Sequence, residues 1–264
     1  MTVSESVLYG KHERIGIITL NRPGKLNAFA GQMRQELAAV VRHAAEDEDV
    51  RVIVITGAGR AFCAGADIKY MRELFENRDR KGFGDLVEAG RDVVTTIRGV
   101  AKPVIASVNG AAAGGGANMA LACDIRIASD QASIGQTFSR IGLHPDWGGT
   151  YFLPRIVGQA KALELIFSAR MVDAQEALEL GLFNRVVPLA DLERVTLDYA
   201  AELAAKPPIA LALAKKAIYQ SDHVSLDLAL DNELEHQLKC FQTEDAREGL
   251  YAFLEKRSPN FKGV

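Results

Sequence analysis

Two glycine-containing loops hold the residues best suited to chemistry. One reads Arg60-Ala61-Phe62-Cys63-Ala64-Gly65-Ala66-Asp67-Ile68-Lys69, the other Asn109-Gly110-Ala111-Ala112-Ala113-Gly114-Gly115-Gly116. Each follows an apolar run of strand length. Glycine lets backbone N–H groups face a ligand with no Cβ in the way, and a helix starting just beyond adds its unpaired amides and dipole. Two such loops supply the parts of an oxyanion hole. Taken singly, either loop reads first as a strand-to-helix turn that needs glycine for steric reasons. Neither carries the phosphate-binding G-x-x-x-x-G-K-[ST] spacing, and no G-x-G-x-x-G opens a βαβ unit, so a nucleotide-binding reading is weak. Cysteine supplies no chemistry by pattern. Cys63, Cys123 and Cys240 are odd in number and lack C-x-x-C spacing, which points to neither a disulfide framework nor a zinc site and fits a reducing cytoplasm.

The elements that must position these loops follow from hydrophobic period. Arg14 to Leu20 is apolar and β-branched and ends in the turn cluster Asn21-Arg22-Pro23-Gly24, a strand running into a loop. Leu37, Val40, Val41 and Ala44 place a helix over Met33 to Ala45. Val50 to Thr56 and Lys102 to Val108 are continuous apolar runs of the kind buried on both sheet faces; Asp85 to Val100 between them is helical in period, and Asp124 to Ala128 reads as a third strand. Helices follow from Tyr151 onward: Tyr151 to Val157, Lys161 to Phe167, Ala174 to Leu180, Asp191 to Ala205, Ala210 to Gln220 and Leu226 to Phe241, with a short strand at Asn184 to Val187. This is an α/β pattern. Lys206-Pro207-Pro208 is the clear break, dividing a core over 1–206 from a helical region over 207–264.

With 264 residues, 48% of them hydrophobic and 25% charged, the chain buries a sizeable core without staples and is neither disordered nor fibrous. A net charge of −3 provides no basic field for nucleic acid or an anionic membrane, so an anionic ligand must meet a local site. The opening MTVSESVLYGKHERIG places acidic and polar residues where a signal peptide needs basic and then apolar ones, an expectation of cytoplasmic residence. The uncharged stretch from Pro103 to Cys123 has the length of a membrane span, yet its proline, asparagines and glycines mark it as buried strand, tight loop and short helix.

Several segments in order resemble the crotonase superfamily, also called the enoyl-CoA hydratase/isomerase family: Thr19-Leu20-Asn21-Arg22-Pro23, Ala61 through Ile68, Lys102-Pro103-Val104-Ile105-Ala106 with Asn109-Gly110, the triple glycine, and Phe253-Leu254-Glu255-Lys256-Arg257. The resemblance implies a spiral of ββα turns with a helical C-terminal region that makes homotrimers, often stacked into hexamers. It implies an acyl-CoA thioester substrate, with coenzyme A carried as part of it and no metal or redox cofactor. The family's thioester-oxygen donors map onto the backbone N–H groups of Ala66 and Gly115. Such donors act on the enolate-like transition state more than on the substrate, each typically worth roughly 3 kcal/mol. The stretch Ala64, Asp67, Ile68 and Lys69, together with Lys25, resembles the family's adenine and phosphate contacts; Lys25 and Lys69 read equally as solvated surface.

The departures bear on the reaction. The family's hydratases carry one glutamate two residues after the triple glycine and another about twenty residues on, where this chain has Asn118 and Phe138. Neither side chain can exchange a proton near neutral pH, so the two-carboxylate route to hydration is missing. The string from Phe138 to Arg155 instead resembles bacterial isomerases of ring-epoxidised phenylacetyl-CoA and of 3-enoyl-CoA thioesters, whose catalytic aspartate maps onto Asp146. The family's 4-chlorobenzoyl-CoA dehalogenases carry a nucleophilic aspartate there. Asp146 also reads as a cap for the next helix. A free aspartate has a pKa near 3.9, so a useful base needs an apolar pocket, for which Phe138, Leu143 and Trp147 are the expected walls. His144 is the other titratable neighbour, read either as an aid to proton transfer or as a structural or solvent-facing histidine; Asn118 and Phe138 are auxiliary at most, and Asn118 can do no more than orient the substrate or a water. The expected activity is an acyl-CoA isomerase; the rivals are a hydratase, lyase or hydrolase of CoA thioesters, and a silent acyl-CoA binder. The acyl pocket is expected to draw its walls from the segment between Tyr70 and Gly90.

Overall fold

The computed structural model describes residues 5–264, so the first four residues of the N-terminal reading lie outside it. Strands β1 (Val7–His12) and β2 (Ile15–Leu20) form an antiparallel hairpin, and helix α1 (Met33–Glu46) leads into β3 (Val52–Gly57). From there the chain alternates between two sheets. β3 is followed by β4 (Ala61–Cys63) and helices α2 (Ile68–Glu76) and α3 (Arg80–Gly99). β5 (Val104–Val108) is followed by β6 (Ala111–Ala113) and α4 (Gly115–Ala122), and β7 (Ile125–Ser129) by β8 (Ser133–Gly135) and α5 (Gly149–Ser168). β9 (Met171–Asp173), α6 (Ala174–Glu179), β10 (Arg185–Val187) and α7 (Leu192–Ala204) complete the core, and α8 (Pro208–Gln220), α9 (Leu226–Phe241) and α10 (Glu244–Leu254) end the chain. One sheet has the order β1-β2-β3-β5-β7-β10, the other β4-β6-β8-β9. Each turn lays one strand in each sheet, and the pairings from β2 to β10 and from β4 to β8 are parallel. This is a right succession for a ββα spiral.

The continuous apolar runs are explained by burial on both faces. In β3, Ile53 and Ile55 point into the main core with Leu37, Val41, Val93 and Ile97, whereas Val52 and Val54 point the other way onto Leu192, Ala200 and Ala204 of α7. The expected strands at Lys102 to Val108 and Asp124 to Ala128 sit beside them in register, Ile105 opposite Ile125. The uncharged stretch from Pro103 is β5, β6 and α4, and no helix among the described residues is long and apolar enough to cross a membrane.

Two expectations change in detail. The helix expected from Asp85 starts at Arg80, because Asp79 caps it by accepting from the Gly82 amide at 2.8 Å. The helices expected at Tyr151 and Lys161 form one element with a kink at Gly158, whose φ of 76° breaks the helical path. The break at Lys206-Pro207 does separate α7 from α8. Beyond it, the Lys215 ammonium donates to the Asp124 carboxylate at 2.8 Å, and the Tyr219 hydroxyl bonds the same carboxylate, fastening α8 to the strand layer. α9 and α10 remain apolar on the outside, with Leu226 74%, Phe241 81% and Phe253 81% exposed.

Candidate functional site

Strand β4 ends at Cys63 and the chain turns at Gly65, whose φ of +88° suits glycine; a Cβ there would come within 2.7 Å of the Ala113 carbonyl oxygen of the neighbouring loop. The two glycine loops are therefore in direct apposition. Ala66 forms a single parallel bridge with Phe29, in which Phe29 donates to the Gly65 carbonyl at 2.7 Å and Asp67 donates to the Phe29 carbonyl at 3.1 Å. That pattern turns the Ala66 N–H to the opposite side. Gly115 opens α4, where a first-turn amide has no partner within its helix. Gly114 before it adopts φ 52° and ψ −122°, a conformation open to glycine.

Both residues line a cavity of about 80 Å³ whose walls also include Phe29, Arg34, Ala64, Ile68, Met71, Phe83, Leu86, Phe138, Leu143, Asp146 and Trp147. The expected walls Phe138, Leu143 and Trp147 are all present, and Met71, Phe83 and Leu86 fall in the segment expected to shape the acyl pocket. Trp147 stacks on Phe29 with ring centroids 4.5 Å apart, and takes up a left-handed φ of 51° to do so. An aromatic side chain held in that conformation is a local strain, of order 1–3 kcal/mol, that the surrounding packing sustains.

Asp146 stands just before this turn. α5 is capped by Gly148 with no side-chain hydrogen bond, which removes the capping role for Asp146. Its Oδ1 is buried without a hydrogen-bond partner. Burial pushes its carboxyl up from 3.8 to about 6, against the downward pull of the Arg34 charge, its own backbone amide and, last, His144. The side chain is thus a carboxylate poised to change protonation near neutral pH.

Asn118 is placed differently from a side chain that orients substrate or water. It is fully buried, behind the cavity wall: its Nδ2 donates to the Asp146 backbone carbonyl at 2.8 Å and its Oδ1 accepts from Gln136 Nε2 at 2.6 Å. It is a strut for the Asp146 turn. His144 is exposed and absent from the cavity wall. Asp67 caps α2 by accepting from the Lys69 amide at 3.1 Å and pairs with Arg22 at 3.1 Å, so its oxygens serve the fold. Lys25 and Lys69 are exposed and, like Asp67, lie outside the wall, whereas Ala64 and Ile68 belong to it.

Cys63 and Cys123 are not nucleophiles. Burial pushes each thiol up to about 12, and the Cys63 sulfur donates to the Asn27 carbonyl. No group of His, Cys, Asp and Glu among the described residues has the arrangement of a metal site. Sequence reasoning missed Arg34, a charged residue in this wall. The signal was available: Arg34 lies three residues before Leu37 and seven before Val41, on the buried stripe of α1.

The backbone of Ala66 and Gly115 and the raised carboxyl of Asp146 share one largely apolar cavity, an arrangement suited to stabilising charge on an oxygen while a nearby proton moves. Residues 10–264 match the enoyl-CoA hydratase/isomerase family. A short-chain-enoyl-CoA hydratase of Clostridium acetobutylicum is 40% identical over 96% of this chain and 95% of its own length. The 1,2-epoxyphenylacetyl-CoA isomerase of Escherichia coli is 38% identical over 98% of this chain and 99% of its own. The crystal structure of an enoyl-CoA hydratase from Bacillus anthracis superposes with a TM-score of 0.94 at 37% identity, covering 98% of this chain and 100% of that one. The chain belongs to the enoyl-CoA hydratase/isomerase family, with the crotonase fold, and is an enzyme of CoA thioesters.

Proposed function

We propose that the protein is an acyl-CoA isomerase that moves a double bond. The observation that carries this reading is the Asp146 carboxyl, whose Oδ1 is buried without a hydrogen-bond partner, on the same cavity as Ala66 and Gly115. The thioester oxygen of a 3-enoyl-CoA accepts from the two amides. The Asp146 carboxylate takes a proton from the α-carbon, the electron pair of that C–H bond spreads into a dienolate with its charge on the thioester oxygen, and the resulting carboxylic acid returns the proton at the γ-carbon. The double bond shifts from 3,4 to 2,3 with no change in mass. A pKa near the working pH suits a group that must both accept and give back a proton.

Several relatives are named hydratases, which favours a second reading in which Asp146 activates water. The positions the hydratases use for carboxylates hold Asn118 and Phe138, and Asn118 spends both ends of its amide on Asp146 and Gln136. That leaves one carboxylate where the hydration route uses two. The test is incubation with a 3-enoyl-CoA and, separately, with a 2-enoyl-CoA in D₂O, followed by mass spectrometry. Isomerisation incorporates deuterium at the α- and γ-carbons with otherwise constant mass; hydration adds one water. Asp146→Asn should lower exchange about 10²- to 10⁴-fold while leaving thioester affinity nearly intact, and Asn118→Ala should cost less. Wild-type exchange by Asp146→Asn would place the base elsewhere and end the proposal.

A further inference from the structure

Arg34 is a buried arginine that no carboxylate among the described residues pairs with. Its residue is 2% exposed, and its Nε is buried without a hydrogen-bond partner. The guanidinium lies over the Phe29 ring, 5.2 Å from the centroid, in the wall of the same cavity. Among the described residues four buried side-chain polar atoms lack a partner, and two of them, Arg34 Nε and Asp146 Oδ1, are on residues that line this one cavity. Desolvation lowers the Arg34 pKa only to about 10, so the group stays charged at neutral pH.

A buried cation is costly unless it is paired and hydrogen-bonded, and a guanidinium presents a planar fork of donors suited to an oxygen acceptor. If Arg34 served only to balance Asp146, the cheap solution would be contact between them; instead the two charges feel each other without an ion pair. The partner is then a group that enters with the ligand. We propose that Arg34 reads the acyl group, selecting CoA thioesters whose acyl chain bears an oxygen acceptor close to the carbons on which Asp146 acts. This rests on the cavity being the acyl site. Such an oxygen satisfies the guanidinium, and a plain hydrocarbon chain of the same length leaves it buried and unpaired. Discrimination of this kind is strong because the penalty falls on the wrong ligand.

The chain has one tryptophan, Trp147, and it lines the cavity, so its fluorescence reports occupancy without any need for turnover. The experiment titrates the wild type with three four-carbon thioesters, butyryl-CoA, 3-hydroxybutyryl-CoA and succinyl-CoA, and with free CoA. We expect one oxygen-bearing thioester to bind at least tenfold tighter than butyryl-CoA. The hydroxyl and carboxylate arms tell a neutral acceptor from an anionic one. In Arg34→Met the preference should fall below threefold with free CoA affinity unchanged, and Arg34→Lys should keep part of it for the carboxylate. Equal binding of all three thioesters by the wild type overturns the proposal, even if the variants fail to fold. So does a preference that survives in Arg34→Met, or a variant that keeps the preference and only moves the pH profile of proton exchange, since Arg34 would then act through Asp146. A wild type that answers to no thioester overturns the acyl-CoA reading of the cavity itself.

Discussion

Replacing Asp146 by asparagine should make the protein inactive and more stable at once. The carboxyl is held at about 6 against 3.8 in an unstructured chain. At 1.36 kcal/mol per tenfold change in proton affinity, keeping it ionised in the fold costs about 3 kcal/mol. The sign follows from linkage. Between the two pKa values the folded protein binds more protons than the unfolded chain, so stability falls as pH rises through that window. Above about pH 6 the penalty is complete; below about pH 4 both states are protonated and it vanishes. Asparagine is never ionised and escapes the penalty. At pH 7.5 the variant should therefore gain up to about 3 kcal/mol, roughly 6–12 °C in melting temperature for a chain of this size, and at pH 4 the two melting curves should coincide. Denaturant unfolding of both proteins across pH 4–8, beside the proton-exchange assay, measures the two effects separately. An inactive variant with no gain at pH 7.5, or a gain that persists at pH 4, would refute burial as the cause of the raised pKa. Activity has its own expected profile: wild-type exchange should rise with pH through about 6, as the base loses its proton.

Gly115→Val should abolish turnover, because a Cβ at Gly115 already comes within 3.2 Å of Trp147 Nε1 and valine pushes the ring or the helix start out of place; circular dichroism that shows an intact fold together with unaltered kcat would remove Gly115 from the oxyanion site. The exposed Leu226, Leu234, Phe241 and Phe253 should be covered by further copies of the chain, giving a trimer or a dimer of trimers by light scattering at micromolar concentration; a stable monomer would contradict this.

The long strands were legible because they are buried on both faces and so written as unbroken apolar runs, as in Val52 to Ile55 and Val104 to Val108. The second sheet was not. Its strands β4, β6, β8 and β9 are three residues each, too short to show any period, and two of them run through what reads as loop, at Ala61–Cys63 and Ala111–Ala113. The glycine loops were visible as types and spacing and Asp146 through the family resemblance, but the role of Asn118 was not. Its position departs from the carboxylate that the resemblance implies; only the fold shows that both ends of the amide are occupied. Arg34 was passed over because a charged residue in an amphipathic helix is usually solvated, although its place on the stripe of α1 said otherwise.

The bond from Asn118 to the Asp146 carbonyl limits how this scaffold can change its reaction. Restoring a carboxylate at 118 would set an acceptor against an acceptor where a 2.8 Å donor contact now stands, and the turn carrying Asp146 would be driven off its position. The newcomer would also lack its companion while Phe138 remains. On the proposed isomerase reading, a single step toward a water-adding enzyme thus passes through a form competent at neither reaction, and both changes must arrive together. In a laboratory evolution experiment that interconverts the two activities, hydrated product should emerge only from libraries that vary positions 118 and 138 jointly.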